Sequence, residues 1–165
     1  MKKTKYICFT AVFAALVCAV TLFIQVPIPL GYFNIGNSVI LFFACLLPFP
    51  YGMIVGSMGC AIADLLSYPV WTVPTIIIKA LMVLCFYGLT KLPIKNRTGK
   101  LIVAAVISML IPFFGYTLSG CIIYGNFLTG LTQAPGLFIE YLANVVLFSI
   151  IIFATKKIIN KQEFL

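Results

Sequence analysis

From Tyr6 to Thr155 this chain is a succession of long apolar runs, separated by short breaks rich in proline, glycine or basic residues. That pattern constrains the fold more than any motif does. Only 8% of the 165 residues are charged and 63% are apolar, whereas a water-soluble domain carries about a quarter charged residues. A soluble globular fold is excluded. A helix crossing the hydrocarbon layer uses about 20 residues, so the length allows roughly six crossings with short connections. No room is left for a soluble catalytic or nucleotide-binding domain.

The breaks divide the runs. Pro27-Ile28-Pro29-Leu30-Gly31 ends the first, because the prolines remove backbone donors and the glycine permits a turn. Pro48-Phe49-Pro50 ends the second and Tyr68-Pro69 the third. A basic stretch follows the fourth. The fifth carries Pro112, Gly115 and Gly120, which predict a kink or an unwound stretch. The sixth opens at Ala134-Pro135-Gly136, where proline suits a first helical turn. The reading is an all-α integral membrane protein, one domain over residues 1–165, with six transmembrane helices near 6–26, 32–47, 51–67, 71–90, 101–124 and 135–155. The basic N-terminus resembles a signal peptide, but its apolar run exceeds the roughly 7–15 residues of such a region and is read as a retained first helix. Leu16-Val17 before Cys18 argues against a lipoprotein site.

The net charge of +8 raises the question of a nucleic-acid partner, which the positions answer. Lys2, Lys3 and Lys5, then Lys91, Lys95, Arg97 and Lys100, then Lys156, Lys157 and Lys161 with Glu163, bracket the apolar runs as cytoplasmic segments do. Their contacts are anionic lipid head groups rather than nucleic acid. Four crossings before Lys91 and two after Lys100 put both termini and the 91–100 loop in the cytoplasm. The breaks at 27–33, 68–71 and 125–134 then face outward, and none holds a charge.

Only Asp64, Lys79 and Glu140 remain inside the runs. An ionisable group there costs at least about 2.5–3.5 kcal/mol, so it faces the bundle interior and has a partner. All three fall in the outer half. They allow two readings: a structural Asp64–Lys79 or Glu140–Lys79 pair, or contact with a ligand. Asn34, Asn37, Trp71, Tyr116, Asn126, Gln133, Tyr141 and Asn144 lie at the same level. Glu140 and Asn144 share a helix face. Amides beside a carboxylate can read the donors and acceptors of a heterocycle, and the aromatic residues can stack on its ring or belong to an interfacial belt.

Several chemistries are absent. Without histidine there is no His base, His-ligated metal or Ser-His-Asp triad. The six cysteines are scattered through apolar runs with no C-x-x-C pair, as small buried hydrophobes are. Arg97-Thr98-Gly99-Lys100-Leu101 lacks the first glycine and the hydroxyl residue of a phosphate-binding loop, so any ATP hydrolysis belongs to a partner. No enzyme, cofactor or metal is expected. Ala11, Ala15 and Ala19 form a small-residue stripe that permits close helix approach, within the chain or from a partner. Gly52, Gly56 and Gly59 read as internal packing positions.

In order, the basic N-terminus with Ala11-x-x-x-Ala15, Val26-Pro27-Ile28-Pro29, Gly31-Tyr32-Phe33-Asn34-Ile35-Gly36-Asn37, Gly56-x-x-Gly59-x-x-x-Ala63-Asp64-Leu65, Tyr68-Pro69 and Ile78-Lys79 resemble the substrate-binding S component of an energy-coupling factor (ECF) vitamin importer. The resemblance is nearest the riboflavin, hydroxymethylpyrimidine and pyridoxine carriers and covers about the first ninety residues. It implies a six-helix protein of the bacterial plasma membrane that captures a vitamin from outside. A coupling transmembrane subunit and two ABC-type ATPases are the implied partners, with the alanine stripe facing the coupling subunit. The substrate-binding candidates are Asn34, Asn37, Asp64, Trp71, Lys79, Tyr116, Glu140, Tyr141 and Asn144. A short chain with small outer loops favours hydroxymethylpyrimidine or pyridoxine over riboflavin. The alternative is a self-sufficient secondary transporter, for which internal repeats or paired broken helices are expected and neither is visible.

Overall fold

The structure, a computed structural model, describes residues 2–93 and 96–159. Lys95, Lys161 and Glu163 of the basic clusters lie outside the described residues. The chain is a helical bundle with one small hairpin. In order it forms α1 (Lys2–Phe23), β1 (Val26–Ile28), β2 (Gly31–Phe33), α2 (Gly36–Leu46), α3 (Tyr51–Ser67), a 3-10 turn (Pro69–Trp71), α4 (Thr72–Leu89), α5 (Arg97–Ser108), α6 (Leu110–Ile123), α7 (Phe127–Leu131), α8 (Ala134–Ala154) and α9 (Lys156–Ile159).

Among the described residues, four stretches are long and apolar enough to cross a membrane: Lys3–Phe23, Pro69–Leu89, Arg97–Ile123 and Phe127–Ala154. Helices α2 and α3 are shorter, at 11 and 17 residues. Proline explains most of the boundaries. Tyr68 precedes Pro69, and the residue before proline is pushed out of the helical region, so α3 stops at Ser67. Pro74 and Pro135 sit in first turns, where no intrahelical donor is lost. The expected kink in the fifth run is a break at Met109 between α5 and α6. Pro112 has no N–H for the Ser108 carbonyl, and its ring crowds that carbonyl.

The second run differs from the expected 32–47. Its helix starts at Gly36, because residues 31–33 pair with 26–28 in an antiparallel ribbon with Val26 opposite Phe33 and Ile28 opposite Gly31. Apolarity alone does not distinguish a short strand from a helix start. Alternate N–H groups of such a ribbon point away from the partner strand, which accommodates Pro27.

Packing is apolar in one half of the bundle, where Val17, Ile40, Leu41, Met82, Phe86, Leu101 and Phe148 are fully or almost fully buried. The helix glycines set the closest approaches, as expected. A Cβ on Gly59 would stand 2.8 Å from the Ala14 carbonyl oxygen, and one on Gly52 2.9 Å from the Ala44 Cα. Polar residues are inside while Leu66, Ile122 and Phe153 are exposed, the inverse of a water-soluble protein. Tyr6 meets Tyr51 ring to ring at the start of α1 and α3. Among the described residues, that end carries Lys3 and Lys5 of α1, Arg97 and Lys100 of α5, and Lys156 and Lys157 of α9; the hairpin, the 3-10 turn and α7 gather at the other.

Candidate functional site

The end opposite the basic clusters holds a cavity of about 380 Å³, its open mouth included. Its wall comes from Ile28, Gly31 and Tyr32 of the hairpin, Asn34, Asp64, Trp71, Tyr116, Gln133, Leu137 and Glu140. Five of the nine expected binding residues are therefore brought to one wall from five separate parts of the chain: Asn34, Asp64, Trp71, Tyr116 and Glu140.

The hairpin is tied across this cavity. The Trp71 indole donates to the Leu30 carbonyl at 2.9 Å, and the Tyr32 hydroxyl donates to Asp64 Oδ1. Burial, with the Asp64 charge beside it, pushes the Tyr32 phenol well above its ordinary value, so it stays a proton donor. Ile28 lies on Gly136, where a Cβ would come within 2.6 Å of the isoleucine Cγ2. Asp64 Oδ2 accepts from the Thr75 hydroxyl. Because threonine has one proton to give, the 3.0 Å contact between Thr75 and Tyr116 has the tyrosine as donor. Trp71 and Tyr116 meet edge to face at 5.8 Å, giving the cavity two aromatic walls.

Neither expected ion pair forms. Lys79, 1% exposed, donates from Nζ to Asn37 Oδ1 at 2.5 Å, and Asn37 Nδ2 donates to Glu140 Oε1 at 3.0 Å. A neutral amide thus separates the ammonium from the carboxylate, presenting its oxygen to one and its nitrogen to the other. The Lys79 Nζ also lies 5.1 Å from the centre of the Tyr116 ring. Asn37 and Lys79 stand behind the cavity wall rather than in it.

Asn144 is fully occupied. Its Oδ1 accepts from the Ser38 backbone N–H at 2.9 Å, and its Nδ2 donates to the carbonyls of Asn34 at 2.8 Å and Glu140 at 2.9 Å. It fastens the start of α2 to α8 and positions Asn34 instead of lining the cavity. Tyr141 turns toward α5, donating to the Val106 carbonyl at 3.3 Å, and borders a second, smaller cavity of about 170 Å³. Asn126 caps α7 by accepting from the Leu128 N–H.

Tyr32 and Gln133 are wall residues that the nine candidates omit. Tyr32 had no charge to mark it, and its place depends on the hairpin. Gln133, 2% exposed, enters through a gap that Gly120 leaves: a Cβ there would fall 2.2 Å from Gln133 Nε2. The alanine stripe is on the outer surface, with Ala11 and Ala15 exposed and Ala19 partly so.

A family model described as "ECF-type riboflavin transporter, S component" matches residues 1–160. The chain is also 28% identical over 111 residues to a Pyrococcus woesei protein described as "Uncharacterized protein in gap 3'region", covering 66% of this chain and 74% of that one. With apolar membrane helices surrounding a cavity of buried polar groups, and a family match over nearly its whole length, the chain belongs to the S components of ECF-type riboflavin transporters, non-catalytic substrate-binding subunits of membrane transport.

Proposed function

We propose that this chain captures a small heterocyclic vitamin or vitamin precursor from outside the cell and passes it inward with a coupling transmembrane subunit and two ABC-type ATPases. The observation that carries this is the cavity itself, with two aromatic walls and buried polar groups at the end remote from the basic clusters. Ligand sites are mostly apolar clefts with a few placed polar groups. Family membership and the lack of a phosphate-binding loop support an external source of ATP energy. Orientation follows the lysines: both termini and the 91–100 loop lie in the cytoplasm of a bacterial cell, and the hairpin faces out.

The short chain with its small outer loops favours a one-ring vitamin such as hydroxymethylpyrimidine or pyridoxine. The family description favours a second reading, riboflavin. Mass spectrometry of the ligand retained by gently purified protein tests both. Copurification with an ATPase pair supports the importer; ion-driven uptake by the chain alone in proteoliposomes would replace it with a self-sufficient secondary transporter.

A further inference from the structure

Three cavity side chains are each half used. Asn34 Oδ1 accepts from the Gly36 backbone N–H at 2.6 Å, leaving its Nδ2 without a hydrogen-bond partner among the described residues. Gln133 Nε2 donates to the Tyr116 carbonyl at 2.8 Å, leaving its Oε1 open. Glu140 Oε1 accepts from Asn37, leaving Oε2 open. All three residues are more than nine-tenths buried and line the same cavity. None of the three atoms is sealed off without a partner among the described residues, and this cavity is the space that all three residues line.

The polarity of these atoms is fixed. An amide's oxygen and nitrogen are told apart by their partners, and here those partners are a backbone N–H for Asn34 and a backbone C=O for Gln133, whose roles cannot reverse. Asp64 is left out of the set because each of its oxygens is already tied to the fold, accepting from Tyr32 and Thr75, whereas Glu140 keeps one oxygen with no bond among the described residues. The Trp71 indole is left out too, being bound to Leu30.

We infer that Glu140 Oε2, Gln133 Oε1 and Asn34 Nδ2 form the read-out of this cavity, two acceptors and one donor, and select a single-ring azine with a donor-rich edge. An exocyclic amine or hydroxyl gives its protons to Glu140 and Gln133, while a ring nitrogen accepts from Asn34. A pyrimidinedione edge, with two carbonyls flanking one N–H, has the opposite polarity and turns carbonyl lone pairs toward the Glu140 carboxylate. A site built for a donor rejects an analogue lacking it, because its own buried group is left unpaired. This inference deepens the proposed function and rests on the cavity being the vitamin site.

The test is calorimetric titration of the purified full chain with hydroxymethylpyrimidine, with its analogue carrying a carbonyl in place of the amine, and with riboflavin. The amine is expected to bind at least about tenfold more tightly than the carbonyl analogue. Glu140→Gln, whose amide can donate to a carbonyl, is expected to narrow that ratio; the comparison on the unaltered chain does not depend on how the variant folds. Equal binding of amine and carbonyl forms, or binding of riboflavin alone, overturns the assigned polarity while leaving vitamin capture standing. Failure of all three to bind overturns the reading of the cavity itself.

Discussion

Lys79 reaches Glu140 only through Asn37, whose side-chain oxygen accepts from the ammonium and whose nitrogen donates to the carboxylate. A buried charge left without its partner costs about 3–5 kcal/mol. Asn37→Leu strands both the Lys79 ammonium and the Glu140 carboxylate, whereas Lys79→Met strands the carboxylate alone and keeps its bond to Asn37. Asn37→Leu is therefore expected to lower the melting temperature of the detergent-purified protein more than Lys79→Met does. The reverse order would show that the amide bridge is not what keeps the ammonium in place.

Asn144 and Glu140 sit on one face of α8 and have different jobs. Asn144→Ala leaves the Ser38 N–H and the Asn34 carbonyl without partners, each worth about 1–3 kcal/mol. Stability and vitamin affinity should fall together. Glu140→Gln keeps the shape and removes a charged acceptor, so affinity should fall at least about tenfold with a smaller thermal shift. Melting curves and ligand titrations of both variants decide; equal thermal losses would merge the two roles.

The hairpin is held by hydroxyl and indole donors rather than by a large buried surface. Tyr32→Phe removes the donor to Asp64, a hydrogen bond to a charged group worth about 1.5–3 kcal/mol. Ligand release measured by stopped flow should accelerate roughly tenfold. An unchanged off-rate would mean that the hairpin does not govern ligand exit.

Gly120→Ala places a methyl group where Gln133 now lies. Gln133 must leave its bond to the Tyr116 carbonyl, and affinity should drop although the added methyl group itself does not line the cavity. Restoration of affinity by Gln133→Ala in the Gly120→Ala background would contradict a ligand contact from Gln133.

The exposed position of Ala11 and Ala15 simplifies the docking test. Overpacking a core costs about 1–3 kcal/mol, but Ala15→Trp points away from this chain's own core. It is expected to leave vitamin binding intact and to abolish both copurification with the coupling subunit and ATP-driven uptake. Normal assembly of the variant would remove the stripe from the interface.

Thiol labelling of single cysteines introduced at Lys5 and Lys95 checks the orientation. Both are expected to react only from the cytoplasmic side, and outside labelling at Lys95 would break the six-crossing topology.

The sequence by itself determined the solvent. With so few charges, the helices can bury apolar faces in lipid as readily as in each other, and the three charges inside the runs had to lie within the bundle. It also marked the proline-bound ends of α3 and α8 and the break before Pro112, because proline acts through its own covalent geometry. Tertiary structure decided the rest. Pairing of residues 26–28 with 31–33 needs a partner strand that no local pattern specifies, and it carries Tyr32 to Asp64. Whether Lys79 meets a carboxylate or an amide depends on where α2 lies between α4 and α8. Asn144 and Gln133 look alike in sequence, as polar amides at one depth. One exhausts its hydrogen bonds on backbone groups of its own fold and the other keeps an acceptor for the cavity, a distinction that exists only once the helices are packed.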